Sequence, residues 1–354
     1  MRQSGLKVQD KIKTALLYGT YSSGLYRVIS RVAGGIGAVL MLHRIVQDKD
    51  ETPSRYLTVT AGFLEDVILR FKKNGISFVS LDDMLHILRS QRGSRERFVA
   101  LTFDDGYRDN LTLALPIFQR HRVPFAVYVP SGAPDRTMDA WFLRLERILM
   151  QFQRLETGAL GNGRSLSLES PAAKAAAYEY CIELARQDLP GFKKWLHEVL
   201  PESAVSSKDL MNGHFLSWEE LRQLAAGPLV TIGGHTISHP MLAKLPEDEA
   251  FREIAGGRDR LSAQIGKAVM HFAYPFGSPF SCGPREFALV GRAGFESAVT
   301  TRYGNIYRAH RHHLHCLPRM TLGGPAEGLA GTLLDVSGAR TVLSKRCFAP
   351  VATA

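Results

Sequence analysis

The chain has 354 residues, long enough for two domains or one large α/β barrel, and its 45% of AVILMFWYC and 22% of charged residues exclude wholesale disorder. Its 32 glycines and 17 prolines form no period or tract, which excludes a collagen-like or low-complexity chain, and no run of about 18 apolar residues marks a membrane-spanning helix. The formal charge is +10, but only 302–319, with four Arg and four His, is densely basic, so no nucleic-acid partner is expected.

Residues 1–35 lack the compact apolar run and small-residue cleavage site of a signal peptide, so a cytoplasmic location is expected. They read as amphipathic helix, with Ile12, Leu16, Leu25, Ile29 and Val32 set against Lys7, Lys11, Lys13, Arg27 and Arg31. Two uses of that stripe stand: packing on a core, or peripheral contact with the inner face of a membrane.

From residue 36 the texture alternates. Ile36 to Leu42 is a buried strand ending at His43, and Ala61 to Asn74 has helical spacing and stops at Asn74-Gly75. Phe98 to Phe103 is a second strand, followed by a helix over 109–121 and a strand from Phe125 to Val129. Residues 135–228 break the rhythm and read as a helical insertion with a polar, mobile loop over 158–171, and Ser217 with Glu220 forms a capping box there. Strands resume at Leu229 to Ile232, His271 to Tyr274 and Ser297 to Thr301, with an amphipathic helix over 244–266. The reading is therefore an N-terminal segment (1–35), a βα unit in two parts (36–134 and 229–322) around the insertion (135–228), and a C-terminal extension (323–354). Parallel strands with chemistry at their ends indicate a barrel or near-barrel, whose active groups cluster at the strands' carboxyl ends. Cys181, Cys282, Cys316 and Cys347 lie far apart with no paired spacing, so reduced thiols are expected.

Three strand ends carry candidate chemistry. Asp104-Asp105 places two anions side by side at a buried end, which calls for a counter-charge; a metal on one would leave the other free as a base. His235 and His239, after Gly233-Gly234, stand four apart and can grip one cation, though a pair of partly exposed histidines is the plainer alternative. At Pro275-Phe276-Gly277 a stiff turn either simply ends a strand or aims the Phe276 N–H at a developing oxyanion.

These segments, Thr102-Phe103-Asp104-Asp105-Gly106-Tyr107, His235-Thr236-Ile237-Ser238-His239-Pro240 and Ala273-Tyr274-Pro275-Phe276-Gly277, resemble in order and separation the motifs of the polysaccharide deacetylases, the NodB-homology group of carbohydrate esterase family four. The resemblance covers about residues 36–322. It implies an α/β fold, a distorted (β/α) barrel with a helical insertion, and metal-dependent removal of N-acetyl groups from a chitooligosaccharide, exopolysaccharide or other glycan. It implies Asp104 as general base and Asp105, His235 and His239 as ligands of a divalent metal, zinc first, with cobalt, nickel or iron as alternatives.

The family's third motif commonly carries an arginine that orients the base; the matching position here is Ala273, and Arg319 is either its substitute or an ordinary surface arginine. For the acid, His315 is chosen over His312 and His313. Tyr107 is expected near the site and, with Trp141, either stacks on sugar or packs in the core; His43 is read as a satisfied core histidine. A cleft rim of Arg302, Arg308 and Arg311 would suit an acidic or lipid-linked saccharide. A degenerate glycan-binding protein and an O-acetyl esterase are the alternatives.

Overall fold

The structure is a computed structural model that describes residues 19–90, 97–322 and 328–343. Its centre is an eight-stranded sheet, parallel throughout. The strands are β1 (Gly37–Leu42), β4 (Ile76–Phe78), β5 (Arg97–Phe103), β6 (Phe125–Val129), β9 (Val230–Gly234), β10 (His271–Ala273), β11 (Ser297–Val299) and β12 (Met320–Thr321). They lie in the order β11-β10-β9-β6-β5-β1-β12, with β4 beside the first half of β5. Short strands β2 (Arg44–Val46) and β3 (Thr58–Thr60) pair separately. The sheet curls towards closure because 317–321 serves both edges: Leu317 bonds β11 through Ala298 and Thr300, and Met320 lies opposite Leu40 of β1.

Strands buried on both faces read as near-continuous apolar runs, and period-two alternation then sorts their side chains. On β5, Val99, Leu101 and Phe103 join the large outer core under the helices, while Phe98 and Ala100 join a smaller inner cluster. The same alternation puts Val39, Ala126, Tyr128, Ala273 and Val299 inside. Small alanines keep the interior narrow, and helix α3 (Leu81–Arg89) plugs it with Leu81, Met84, Leu85 and Leu88.

Helix α1 (Leu25–Ala33) precedes β1. Helix α2 (Ala61–Lys73) is capped by Thr60, whose hydroxyl accepts the Phe63 N–H, and it stops at Asn74-Gly75 with Gly75 at φ 67°. The 109–121 segment begins as a π-helical turn and becomes α4 at Leu115–His121.

The insertion contains α5 (Trp141–Gln151), α6 (Pro171–Gln187), α7 (Leu189–Val199), α8 (Ser207–His214) and α9 (Trp218–Ala226), the last opened by the Ser217–Glu220 capping box. One expectation fails here: the polar loop is an antiparallel hairpin, β7 (Arg154–Glu156) with β8 (Ser165–Ser167), whose Leu155 and Leu166 are buried. Alternation over three residues is too short to register against the surrounding helical pattern. Trp141 packs edge-on against Phe142 and Phe192 in the insertion's own core, which settles it as a packing residue.

Helices α10 (Glu247–Ile265) and α11 (Pro284–Arg292) flank the later strands. The C-terminal helices α12 (Gly328–Val336) and α13 (Ala339–Leu343) are integrated rather than appended: Leu333 and Val336 enter the main core, and Leu334 and Ala339 meet Tyr26 and Ile29. Ile29 thus packs on a core while Leu25 is exposed; Ile12 and Leu16 lie outside the described residues. The described cysteines Cys181, Cys282 and Cys316 are buried free thiols. No described helix is long and apolar enough to cross a membrane.

Because the insertion has a core distinct from that of the barrel, Phe192→Ala should cost about 3–5 kcal/mol locally. Limited proteolysis of this variant should cut within 152–200 before the barrel; simultaneous loss of both would show that the insertion is no unit of its own.

Candidate active site

Alternation on the parallel strands decides which residues meet. Counting on from the inner positions of β1, β5 and β9 puts His43, Asp104 and His235 on the inner face at the carboxyl ends. Arg319 takes the same face, because its neighbour Met320 points into the outer core.

Asp104 is almost wholly buried, and its two carboxylate oxygens accept from the Arg319 guanidinium at 2.7 and 2.8 Å. Arg319 is 1% exposed; its Nε donates to the Thr300 carbonyl and its guanidinium lies over the Tyr128 ring. It therefore grips Asp104 from the residue preceding β12, not from the end of β10 where Ala273 stands. Burial alone would raise the Asp104 pKa, but Arg319, His235 and His43 outweigh it and hold the carboxyl below its ordinary range.

Asp105 turns the other way, in the left-handed region at φ 72°. Its Oδ1 stands 3.5 Å from His235 Nε2 and 3.4 Å from His239 Nε2. One ligand atom from each of the three lies within 4.8 Å of the others, a spacing that fits one divalent cation with metal–ligand bonds of about 2 Å. His235 Nδ1 bonds the Ala273 carbonyl at 2.6 Å, which fixes its tautomer and frees Nε2 for a metal. Burial pushes His239 down to about 4, so its imidazole is in the neutral, ligating form. Burial opposes protonation of His235 too, but its bond to Asp105 and the two carboxylate charges raise its pKa above the ordinary value.

The histidine loop is held from behind. Glu253 of α10 accepts the Ile237 and Ser238 N–H groups, both at 2.9 Å, and the Ser238 hydroxyl at 2.8 Å. Gly257 permits this approach: a Cβ there would lie 2.6 Å from the Thr236 carbonyl oxygen. Asp105, Thr236, His239 and Phe276 are four of the seven described non-glycine residues with positive φ, so backbone strain concentrates at this site. Phe276 is 49% exposed, its ring tilts against His239 at 5.2 Å, and its N–H has no acceptor among the described residues.

His43 is not the satisfied core histidine expected. Its Nε2 lies 4.0 Å from Asp104, and its buried Nδ1 lacks a partner. Position at the end of a buried strand, in step with Val39, was the sequence signal for it; Glu253 had none, being one acid among many on a charged helix face.

Other candidates lie elsewhere. His315 bonds the Phe295 carbonyl, just before β11 begins, and packs against α11, so it is at the opposite end of the strands from Asp104. His312 and His313 are exposed, with His312 bonded to Arg311. Tyr107 is 2% exposed, sandwiched between Phe215 and the Arg44 guanidinium, and presents no face to a sugar. The basic rim also dissolves: Arg302 is buried and donates to the Cys282 carbonyl, while Arg308 donates to that of Ser90.

Behind Tyr107, Arg44 bonds Glu146 of α5 at 2.8 Å and approaches Asp109 at 3.6 Å. Burial carries Asp109 up to about 7 despite Arg44, so one cation does not fully offset two buried carboxylates.

Three groups able to hold one metal ion at the mouth of a parallel barrel, with a buried carboxylate beside them, are an arrangement suited to metal-assisted hydrolysis. Residues 91–282, a little over half of the chain, match the sequence model of the polysaccharide deacetylases. The chain belongs to the polysaccharide deacetylase family. It is 31% identical over 97 residues to the poly-β-1,6-N-acetyl-D-glucosamine N-deacetylase of Escherichia coli (strain K12), a match spanning 27% of this chain and 14% of that protein. The fold is shared with the Streptococcus pyogenes deacetylase PplD in complex with acetate (TM-score 0.56, 18% identity, 84% of this chain and 97% of that one). It is shared also with IcaB from Ammonifex degensii (TM-score 0.55, 17% identity, 86% and 98%).

Two outcomes are expected. Glu253→Ala should weaken divalent-metal affinity about 10–100-fold by chelator competition while the fold survives, with partial recovery in Glu253→Gln. Asp109 is raised from 3.8 to about 7, so its contribution to stability is full below pH 3.8 and lost as pH rises through 7. Asp109→Asn should remove that decline in urea-unfolding curves taken across this window; an unchanged profile would rule out Asp109 as its source.

Proposed function

We propose that the chain is a metal-dependent hydrolase that removes N-acetyl groups from an exopolysaccharide, with polymers of the poly-β-1,6-N-acetylglucosamine class as first candidates. The convergence of Asp105, His235 and His239 beside the Arg319-bound Asp104 carries this reading. The relative matched over 97 residues supports the substrate class.

Asp105 and the Nε2 atoms of His235 and His239 would hold the ion, zinc first, with cobalt, nickel and iron suited to the same donors. When bound, such an ion supplies Lewis acidity, lowering the pKa of water towards about 7 and polarising the acetamide carbonyl. Asp104, kept ionised by Arg319, accepts the proton of the attacking water. The unpaired Phe276 N–H donates to the oxyanion that develops on the carbonyl oxygen. In place of His315, His43 takes the role of acid: it is the histidine that faces Asp104 without being a ligand, and it delivers a proton to the departing amine. Acetate and a free amino sugar result.

The glycan-binding alternative rests on Ala273 and on the irregular histidine region around His315; the bidentate contact of Arg319 with Asp104 weighs against the first, and the nearness of His43 to Asp104 against the second.

The test is acetate release from β-1,6-linked N-acetylglucosamine oligomers, chitooligosaccharides and an O-acetylated sugar, using chelator-stripped protein resupplied with zinc or cobalt. Release should require metal and favour the β-1,6 oligomers, and Asp104→Asn should lower it about 10²–10⁴-fold with metal still bound. Arg319→Met, which leaves Asp104 buried without its counter-charge, should shift the acid limb of the pH–rate profile upward. Metal-independent release, or full activity of Asp104→Asn, would sink the mechanism; preference for the O-acetylated sugar would make the chain an esterase.

A further inference from the structure

A second concave site lies at the other pole of the barrel. Helix α1 leads into the amino end of β1, and α2 ends beside the amino end of β4, so the face they share is opposite to the catalytic mouth. Between them is a cavity of about 440 Å³ lined by Ser22, Ser23, Tyr26, Arg27, Arg70 and Lys73. Tyr21 and Tyr26 stack at 5.7 Å, and the Tyr26 hydroxyl donates to Asn74, which fixes the wall. Arg27, Arg70 and Lys73 pair with no carboxylate among the described residues. Residues 19–34 contain no acid, and the N-cap of α1 is Gly24, with the Ser23 hydroxyl accepting the Leu25 N–H at 3.4 Å, so no negative charge offsets the amino-terminal end of its dipole.

Next in sequence to the lining residues Gly24 and Arg27, α1 exposes two aliphatic side chains. Leu25 and Val28, 49% and 57% exposed, occupy successive positions of one helical row that continues to Arg31, beside the row of Arg27 and Arg31. The inward face of α1, by contrast, uses Tyr26 and Ile29 to pack on α12 and α13. A short helix that is anchored on one side and carries arginines flanking exposed aliphatic side chains on the other has the form of an interfacial helix.

We propose that this face docks on an anionic phospholipid bilayer, a headgroup phosphate entering the cavity between Arg27, Arg70 and Lys73 while Leu25 and Val28 sink to the acyl boundary. Charge complementarity selects the occupant: three cations without a carboxylate partner among the described residues, Arg27 steadied by its Nε bond to the Tyr26 hydroxyl, match a phosphate, and the adjoining aliphatic pair matches the layer beneath it. A protein so docked holds its barrel mouth away from the bilayer, towards a polymer extending from it, which disfavours a substrate whose reacting sugar is itself attached to that lipid surface.

The experiment is co-sedimentation of the full chain with vesicles of phosphatidylcholine alone and of phosphatidylcholine with phosphatidylglycerol, over a range of salt. Binding should be confined to the anionic vesicles and fall as salt rises. Arg27→Glu/Lys73→Glu should weaken it by roughly tenfold or more, and Leu25→Ser/Val28→Ser should weaken it independently. Acetate release from a soluble oligomer, together with the thermal unfolding midpoint, reports folding in each variant without touching the docking face. Equal binding to neutral vesicles, or binding unchanged in both double variants, would overturn the proposal. So would displacement from vesicles by millimolar inorganic phosphate, which would mark a free-phosphate site instead. None of these outcomes bears on the deacetylase reading, whose readout is catalysis at the opposite pole.

Discussion

The site is built around a single electrostatic constraint: two adjacent carboxylates, Asp104 and Asp105, at the buried end of one strand. In a low-dielectric setting two such anions repel, and one of them would take up a proton near neutral pH unless each had its own counter-charge. The fold separates them at once, Asp104 continuing the inner face of β5 and Asp105 turning away at positive φ. Arg319 then neutralises the first with a planar, two-point contact, while the paired imidazoles face the second. Since breaking a buried pair by removing one partner typically costs about 3–5 kcal/mol, Arg319 and Asp104 are bound to each other's presence whatever else changes.

That division of labour explains the rest of the site's upkeep. The histidine loop must present two imidazoles to one carboxylate, and it does so through left-handed backbone at Thr236 and His239. Such geometry for a β-branched residue persists only when its surroundings over-determine it. Glu253 supplies three hydrogen bonds to the adjoining residues, Thr236 Oγ1 accepts the His239 N–H at 3.0 Å, and Gly257 lets α10 close on the loop. Strain, support and ligand set thus form one unit.

Much of this was legible in the sequence because the chemistry sits on strand ends. A run such as FVALTF followed by Asp-Asp-Gly announces both the strand and the turn, and the resemblance to the polysaccharide deacetylases followed from three such ends in the right order. Alternation held further information: counting by twos along β1 and β5 shows that His43 and Asp104 share a face, a signal overridden by the plainer expectation of a packed histidine. His315 failed for the opposite reason. It stands in a histidine-rich segment, where spacing says nothing about which pole of the barrel a loop visits, and its carbonyl and ring are engaged by Tyr274 and Phe295. Glu253, Arg44 and Glu146 depend on contacts between segments far apart in the chain and carry no local pattern.

The contact between Arg44 and Glu146 gives the helical insertion a bearing on catalysis that its remote core does not suggest. Arg44 follows His43 directly and covers Tyr107, whose other face meets Phe215 from the end of the insertion, so both sides of the ring are fixed by groups the insertion holds. Tyr107 in turn stands two residues beyond Asp105. A shift of α5 would therefore pull on the Arg44 side chain through Glu146 and bear on Tyr107, two residues from Asp105. The backbone at this point is held separately, since the Ile45 N–H donates to Asp109 at 3.0 Å immediately beyond Arg44. Backbone bonds tie the insertion to the mouth of the barrel, from the Arg108 N–H to the His214 carbonyl at 2.7 Å and from the Leu216 N–H to the Gly106 carbonyl at 3.0 Å, and an arginine shared by two carboxylates from different elements adds a buried charged joint between the two cores.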